Sequence, residues 1–122
     1  MPDSAETLSF IRSSFRSVWA LELMCVLRSA PNRSFTSNEL VDRLRASDLV
    51  VRQSIEALLV AGLVLVEGDS ARYGPANAEI DRLAGAAESL YRRRPDTVRR
   101  TIVMSGTDPL SAFSDAFRLR KD

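Results

Sequence analysis

The chain has 122 residues, enough for one compact domain, and its composition is that of a folded protein, with 45% hydrophobic and 27% charged residues. Its net charge of +1 provides no global electrostatic argument for binding nucleic acid. The single cysteine cannot form an internal disulfide, and the absence of histidine excludes His-based acid–base catalysis and the common zinc sites.

The sequence predicts no enzyme activity, no metal and no cofactor. The five glycines are scattered and build no phosphate-binding loop, and no nucleophile–base pair is visible. The lone Cys25 lies in an apolar run and is interpreted as a buried, inert thiol. The stretch MPDSAETLSF is polar and acidic rather than a signal sequence, and no apolar run has the length of a membrane span. We therefore expect a cytoplasmic protein without membrane contact.

Residues 5–28 are predicted to form the first helix, with or without a break. Its apolar residues recur at helical spacing: Phe10, Ile11, Phe15, Val18 and Trp19. Between residues 18 and 27 only Glu22 is charged, so this part must be covered on nearly all sides. Further helices or a second subunit must supply that cover.

Two short helices follow, separated by a tight turn near residues 46–47. The stretch Thr36-Ser37-Asn38-Glu39 is a capping-box sequence, in which the first hydroxyl and the last carboxylate each accept the other residue's amide. Ser47 is expected to cap the next helix, and Gly62 suits its end because glycine accepts positive φ. The inward face of that helix carries Val51, Ile55 and Leu58.

A small β-hairpin is predicted next, with a strand at residues 63–67, a turn at 68–70 and a return strand at 71–74. Asn77 then caps a helix with an apolar stripe, and Pro95 opens a fifth helical segment. The stripe consists of Ile80, Leu83, Ala84, Ala87, Leu90 and Tyr91. A last segment begins at Asp108-Pro109 and carries Leu110, Phe113 and Phe117.

The predicted order of helices and hairpin is that of a helix-turn-helix followed by a wing. The stretch FTSNELVDRLRASDLVVRQSIEALLVAGLVLVEGDSARYGPA resembles the winged helix-turn-helix domains of bacterial MarR-like and ArsR-like regulators, most specifically in ALLVAGLV. The resemblance covers roughly residues 18–76, about half of the chain. It implies a mainly α fold with a small β-hairpin. The single domain of residues 1–122 would have a head at 17–76 and a C-terminal helical extension at 77–122.

This resemblance implies a cytoplasmic, homodimeric transcriptional regulator that binds double-stranded DNA sequence-specifically. The helix of residues 47–62 would enter the major groove, where Arg52 can pair with guanine and Gln53 with adenine. Exposed amides before the preceding helix, and basic side chains elsewhere, would contact phosphates. The candidate DNA-binding residues are Thr36, Ser37, Asn38, Ser47, Asp48, Leu49, Val50, Arg52, Gln53, Glu56, Arg72, Arg93, Arg94, Arg99 and Arg100.

The charges of this surface leave a second interpretation open. The reading helix offers Arg52 against Asp48 and Glu56, although phosphate attraction supplies most non-specific affinity for DNA. The apolar Leu49 and Val50 suit a protein groove as well as a thymine methyl group. The alternative is therefore a winged-helix module that docks on a protein partner, either another regulator or the transcription machinery. The arginines at residues 92–100 similarly form either a solvated helix end or a basic patch.

The apolar surface of the outer helices predicts a homodimer interface, with simple core packing as the alternative. Regulators of this type usually dimerise outside the reading head, and palindromic sites require a two-fold partner. The candidate interface residues are Phe15, Trp19, Leu83, Leu90, Phe113 and Phe117.

Overall fold

The computed structural model describes residues 4–105, which form six helices and one three-stranded antiparallel sheet. The helices are α1 (Ser4–Ser14), α2 (Val18–Arg28), α3 (Ser37–Leu44), α4 (Asp48–Val60), α5 (Ala78–Arg93) and α6 (Pro95–Val103). The strands are β1 (Phe35–Thr36), β2 (Val64–Glu67) and β3 (Ser70–Tyr73). The predicted class, mainly α with a small amount of β structure, is confirmed. None of the helices described has the length and apolar character needed to cross a bilayer.

The predicted first helix is divided into α1 and α2 by residues 15–17. Ser17 caps α2, since its hydroxyl accepts a hydrogen bond of 3.2 Å from the amide of Ala20. Phe15, in the break, is buried, and its ring meets that of Phe10 edge to face with 5.9 Å between centroids. The break lets α1 pack against α5 and α6 instead of continuing along the axis of α2.

Helix α2 lies at the centre of the core. Its buried residues share one broad face, and most of the other positions are partly buried. The buried residues are Ala20, Leu21, Leu23, Met24 and Leu27. Helices α3, α4 and α6 and strand β3 pack around it. Full burial of each Leu or Met side chain is worth about 1.5–3 kcal/mol, so this helix is a main source of stability. The expected cover of the apolar helix is therefore supplied by elements of the same chain.

Helices α3 and α4 are joined by only three residues, 45–47. The predicted capping box is present, because Thr36 Oγ1 accepts the amide of Glu39 at 3.2 Å and Glu39 Oε1 accepts the amide of Thr36 at 3.0 Å. Ser47 caps α4 by accepting the amide of Val50 at 3.1 Å. Arg45 turns the chain in the left-handed region with a φ of 54°. This short connection fixes the direction of α4 relative to α3.

The sheet contains one strand more than the sequence predicts. The two-residue β1 pairs antiparallel with β3, with Phe35 opposite Ala71, so the strand order is β1-β3-β2. Strands β2 and β3 form the predicted hairpin around the turn Gly68-Asp69. Gly68 and, at the end of α4, Gly62 have φ values of 55° and 76°, which glycine adopts without steric cost.

The C-terminal helices cover the head from the side of α1. Asn77 caps α5 as predicted, with its side-chain oxygen 2.9 Å from the amide of Ile80. Helix α6 begins at Pro95, also as predicted, and both helices pack against α1. The segment predicted to begin at Asp108-Pro109 lies outside the described residues.

A polar network connects α5 with the end of α2 and with the hairpin. Arg28 donates to Glu88 Oε1 at 3.1 Å and to the Tyr73 hydroxyl at 2.9 Å, and that hydroxyl donates to Asp81 Oδ1 at 2.5 Å. Gly85 leaves room for the guanidinium, because a Cβ there would lie 3.2 Å from Nη2 of Arg28. Burial and the hydrogen bond to Asp81 raise the pKa of Tyr73 to about 12. The network positions the C-terminal extension against the head.

Candidate nucleic-acid interface

Helix α4 is held by one face and exposes the other. Val51 and Leu58 are fully buried, and Ile55 is partly buried, so the predicted inner register is confirmed. On the opposite side the predicted contact positions are accessible. Ser47, Asp48, Leu49, Arg52, Gln53 and Glu56 are exposed, and Val50 is partly buried. The Arg52 and Gln53 side chains can therefore reach a ligand.

The outer face of α4 is not basic. Arg52 Nε lies 3.1 Å from Asp48 Oδ2, one helical turn away, and Glu56 adds a second carboxylate one turn further on. Both partners of the ion pair are largely exposed, which makes the pair weak in water. Arg52 can therefore leave Asp48 for a stronger acceptor at little cost.

Apolar side chains lie beside these charges. Leu49, Leu59 and Val60 are exposed on α4, Val60 to 81%. Neighbouring exposed apolar residues are typical of a binding surface. Leu59 and Val60 were not among the predicted contact residues, although they follow Arg52 and Gln53 by seven residues, which is two helical turns.

A groove of about 460 Å³ lies between α4 and the α1–α2 junction. We call it the Trp19 groove; its lining includes the apolar side chains of Trp19, Val50, Ala57 and Val60 together with Gln53 and Glu56. Trp19 is the only tryptophan of the chain and is 40% exposed. Trp19 was predicted as a dimer residue, and its position beside α4 follows only from the packing of α2 against α4.

The phosphate site predicted at the beginning of α3 is already occupied by the protein's own acceptors. The amide of Thr36 donates to Glu39 Oε1 at 3.0 Å, and the amide of Ser37 donates to the carbonyl of Asp69 at 3.1 Å. The Ser37 hydroxyl also donates to the Asp69 carboxylate at 2.9 Å. Two carboxylates thus lie where an anion was expected, and the prediction for Thr36 and Ser37 is wrong. Asn38 is exposed in the same acidic surroundings.

The hairpin lies next to α4. Arg52 shares a cavity of about 190 Å³ with Val66 of β2 and with the turn residues Gly68 and Asp69. Arg72 is exposed on β3, opposite Leu65 of β2. The structure therefore brings the hairpin to the same side of the molecule as Arg52.

The arginine cluster belongs to the C-terminal helices. Arg93, Arg94, Arg99 and Arg100 are exposed at the end of α5 and on α6. Their neighbour Arg92 shares a cavity with Arg43 and Leu44 at the end of α3, whereas the cavity of Arg52 includes Ser37 at its beginning. About 10 Å of helix α3 separates these two ends. The role of the four cluster arginines as phosphate contacts stays a prediction.

Two of the candidate dimer residues are buried inside the monomer. Phe15 and Leu90 belong to the hydrophobic core, so the prediction that they contact a second subunit is wrong. Leu83 is partly buried, and Trp19 is exposed in the groove described above. Phe113 and Phe117 lie outside the described residues.

The single thiol is not chemically activated. Burial raises the pKa of Cys25 to about 12, and the nearby Glu88 carboxylate adds to this effect. Such a thiol stays protonated at neutral pH and is a poor nucleophile. Within residues 4–105 there is no group of three or more His, Cys, Asp or Glu side chains that could hold a metal ion.

No family model, curated protein or solved structure matches this chain. The assignment of function therefore depends on the geometry of α4, the hairpin and the Trp19 groove.

Proposed function

We propose that the chain is a winged helix-turn-helix protein that binds double-stranded DNA through α4 and regulates transcription. The observation that carries the proposal is the exposure of Arg52 and Gln53 on a helix that is otherwise anchored in the core. Two arrangements support it: the three-residue connection between α3 and α4, and the hairpin that directly follows α4. Both are typical of a reading helix with a wing.

The mechanism is insertion of α4 into the major groove. The helix has 13 residues, which gives it a length of about 20 Å, and the groove is about 12 Å wide. Arg52 leaves its ion pair with Asp48 and pairs with guanine O6 and N7, while Gln53 pairs with adenine N6 and N7. Leu49 contacts a thymine methyl group, and Arg72 of the hairpin contacts a phosphate.

A homodimer completes this proposal. Two copies would present two reading helices to half-sites about 34–36 Å apart, and the summed contacts would compensate for the weak phosphate attraction of one copy. The compartment we propose is the bacterial cytoplasm, where a regulator meets its DNA.

Substitution of Arg52 by alanine in the full chain tests the proposal. The preferred site is first selected from genomic DNA fragments, and affinities are then measured by fluorescence anisotropy. Arg52→Ala should weaken binding to that site by about 1–3 kcal/mol and relax the preference at one base pair. Arg12→Ala, which removes the same charge from the exposed surface of α1, is the matched control and should change affinity little. Equal affinities of Arg52→Ala and the unchanged protein would contradict the role of α4.

A second candidate function is docking on another protein through the same face. The exposed Leu49, Leu59 and Val60 favour it, because apolar area gives no affinity for the phosphate backbone. A salt titration separates the two functions. DNA binding weakens steeply as salt rises because counterion release is lost, whereas an apolar protein contact changes little.

A further inference from the structure

We propose that the Trp19 groove is the interface of a two-fold dimer, in which each copy of the chain packs its Val60 into the groove of the other. The inference rests on the proposed function in one respect, since it names the subunit contact which that function requires, but the contact itself forms without DNA. It replaces the predicted contacts of Phe15 and Leu90, which lie in the core. Three features carry it: exposed apolar side chains, charges of both signs, and the position of the groove relative to Arg52.

The groove is apolar and accessible on both of its walls. Val60 on α4 is 81% exposed, and Trp19 at the beginning of α2 is 40% exposed. The α4 wall includes Val50, Gln53, Ala57 and Val60, which follow one another at intervals of three, four and three residues. This is the spacing by which one helix packs along another. The groove therefore suits a helix of a second molecule.

One patch can serve both subunits only if it contains a projection and a depression that fit each other. Val60 is the projection, because most of its side chain stands clear of the chain that carries it. The depression lies between Trp19 and Ala57, where the small alanine leaves room. Two-fold symmetry repeats the insertion, and full burial of a valine side chain is worth about 1.5–3 kcal/mol on each subunit.

The charges of the groove favour a second copy over a strongly charged partner. Arg16 lines the wall at the α1–α2 junction, and Glu56 lines the α4 wall. A two-fold contact that crosses the groove places Arg16 of one subunit opposite Glu56 of the other, and symmetry forms this pair twice. Such pairs at the rim of an interface orient the subunits more than they add affinity. A DNA backbone or an acidic protein would match only Arg16, and a basic protein only Glu56.

The contact leaves the outer part of the reading helix accessible. Asp48, Leu49 and Arg52 are not part of the groove lining, whereas Gln53 is, so Gln53 lies nearer to the second subunit. Arg52 precedes Val60, the last residue of α4, by eight residues, or about 12 Å of helix. When two such helices point away from the two-fold axis with a packing distance of about 8–10 Å, their Arg52 residues lie up to about 32–34 Å apart. This is comparable with the spacing of half-sites, about 34–36 Å.

Sedimentation velocity of the full chain over a range of concentrations tests the interface. The unchanged protein should shift from the 13.5 kDa monomer to a dimer as its concentration rises. Val60→Asp should raise the Kd of the dimer at least about tenfold, because it puts a carboxylate into the apolar groove of the partner. Val103→Asp is the matched control, since it makes the same substitution at a position of α6 that is 51% exposed, and it should leave the Kd unchanged.

Reversal of the rim charges tests the orientation of the two subunits. Arg16→Glu and Glu56→Arg should each weaken the dimer, because each places like charges opposite one another. The double variant Arg16→Glu/Glu56→Arg should recover most of the loss, since it restores two pairs of opposite charge. A structural defect of either single variant would not be repaired in this way, and circular dichroism verifies that every variant is folded.

Two results would overturn the interface: a chain that stays monomeric up to about 1 mM, and a dimer whose Kd is the same in Val60→Asp and in the unchanged protein. A double charge variant as weak as the single ones would overturn the two-fold orientation. No DNA is present, so the outcome is separate from that of the DNA-binding test. A dimer sensitive to Val60→Asp in a chain that binds no DNA would contradict the proposed function alone, and DNA binding through Arg52 with an insensitive dimer would contradict this interface alone.

Discussion

The strength of the Arg28 network follows from its burial. The Arg28 side chain is 22% exposed and the Glu88 side chain is 13% exposed. The guanidinium donates to Glu88 at 3.1 Å and to the Tyr73 hydroxyl at 2.9 Å. Arg28→Met retains most of the aliphatic packing but removes both hydrogen bonds. It also leaves Glu88 with only Arg92, at 3.2 Å, as a cationic partner among these contacts. Hydrogen bonds to charged groups contribute about 1.5–3 kcal/mol each, so we expect a loss of about 2–4 kcal/mol in the free energy of unfolding.

Arg82→Met provides the matched control, because Arg82 also contacts two side chains and also involves α5. It contacts Glu6 of α1 at 3.2 Å and Glu79 of its own helix at 2.5 Å, but it is 41% exposed. Water and salt screen such a pair, so this variant should lose little stability. Urea unfolding, followed by circular dichroism and Trp19 fluorescence, measures both variants. If Arg28→Met and Arg82→Met unfold at the same urea concentration, burial does not set the strength of these contacts.

Two further predictions concern backbone strain and pH. Arg45→Gly should raise the free energy of unfolding by about 0.5–1 kcal/mol. Glycine relieves the strain of the left-handed φ of 54°, and this gain exceeds the additional chain entropy that glycine loses on folding. Thermal denaturation measures the difference in stability. Tyr73 holds its proton more tightly in the folded state, so its stabilising effect is complete below its ordinary pKa near 10 and is lost as the pH rises through about 12. Urea titrations at pH 10 and pH 12 measure this effect. The free energy of unfolding should fall less between these two pH values in Tyr73→Phe than in the unchanged protein. Some loss should remain, because burial also raises the pKa of Cys25 to about 12.

The features predicted correctly from the sequence depend on neighbouring residues. The caps at Thr36, Ser47 and Asn77 each require a side chain and an amide three residues apart, so the local sequence determines them. Strand β1 was missed because two residues have no periodicity, and the strand exists only through pairing with β3. The Arg28–Glu88 contact was missed for a similar reason, since its partners are 60 residues apart.

In the candidate site, too, predictions that depend on neighbouring residues were correct, and those that depend on residues distant in sequence were not. The exposed register of α4 followed from helical periodicity, because its buried positions are apolar and regularly spaced. The dimer residues could not be predicted in the same way, because the sequence of an apolar stripe is the same whether the stripe faces the core or a second subunit. Phe15 and Leu90 face the core. The phosphate site failed because the turn of the hairpin, more than thirty residues away, supplies Asp69 to the amide and the hydroxyl of Ser37.

The charge of the exposed α4 face limits how the proposed DNA contact can gain affinity. The exposed charges of α4 and the hairpin are Arg52 and Arg72 against Asp48, Glu56, Glu67 and Asp69. Such a surface attracts the phosphate backbone weakly, so its affinity for DNA must come from base contacts and from the second subunit.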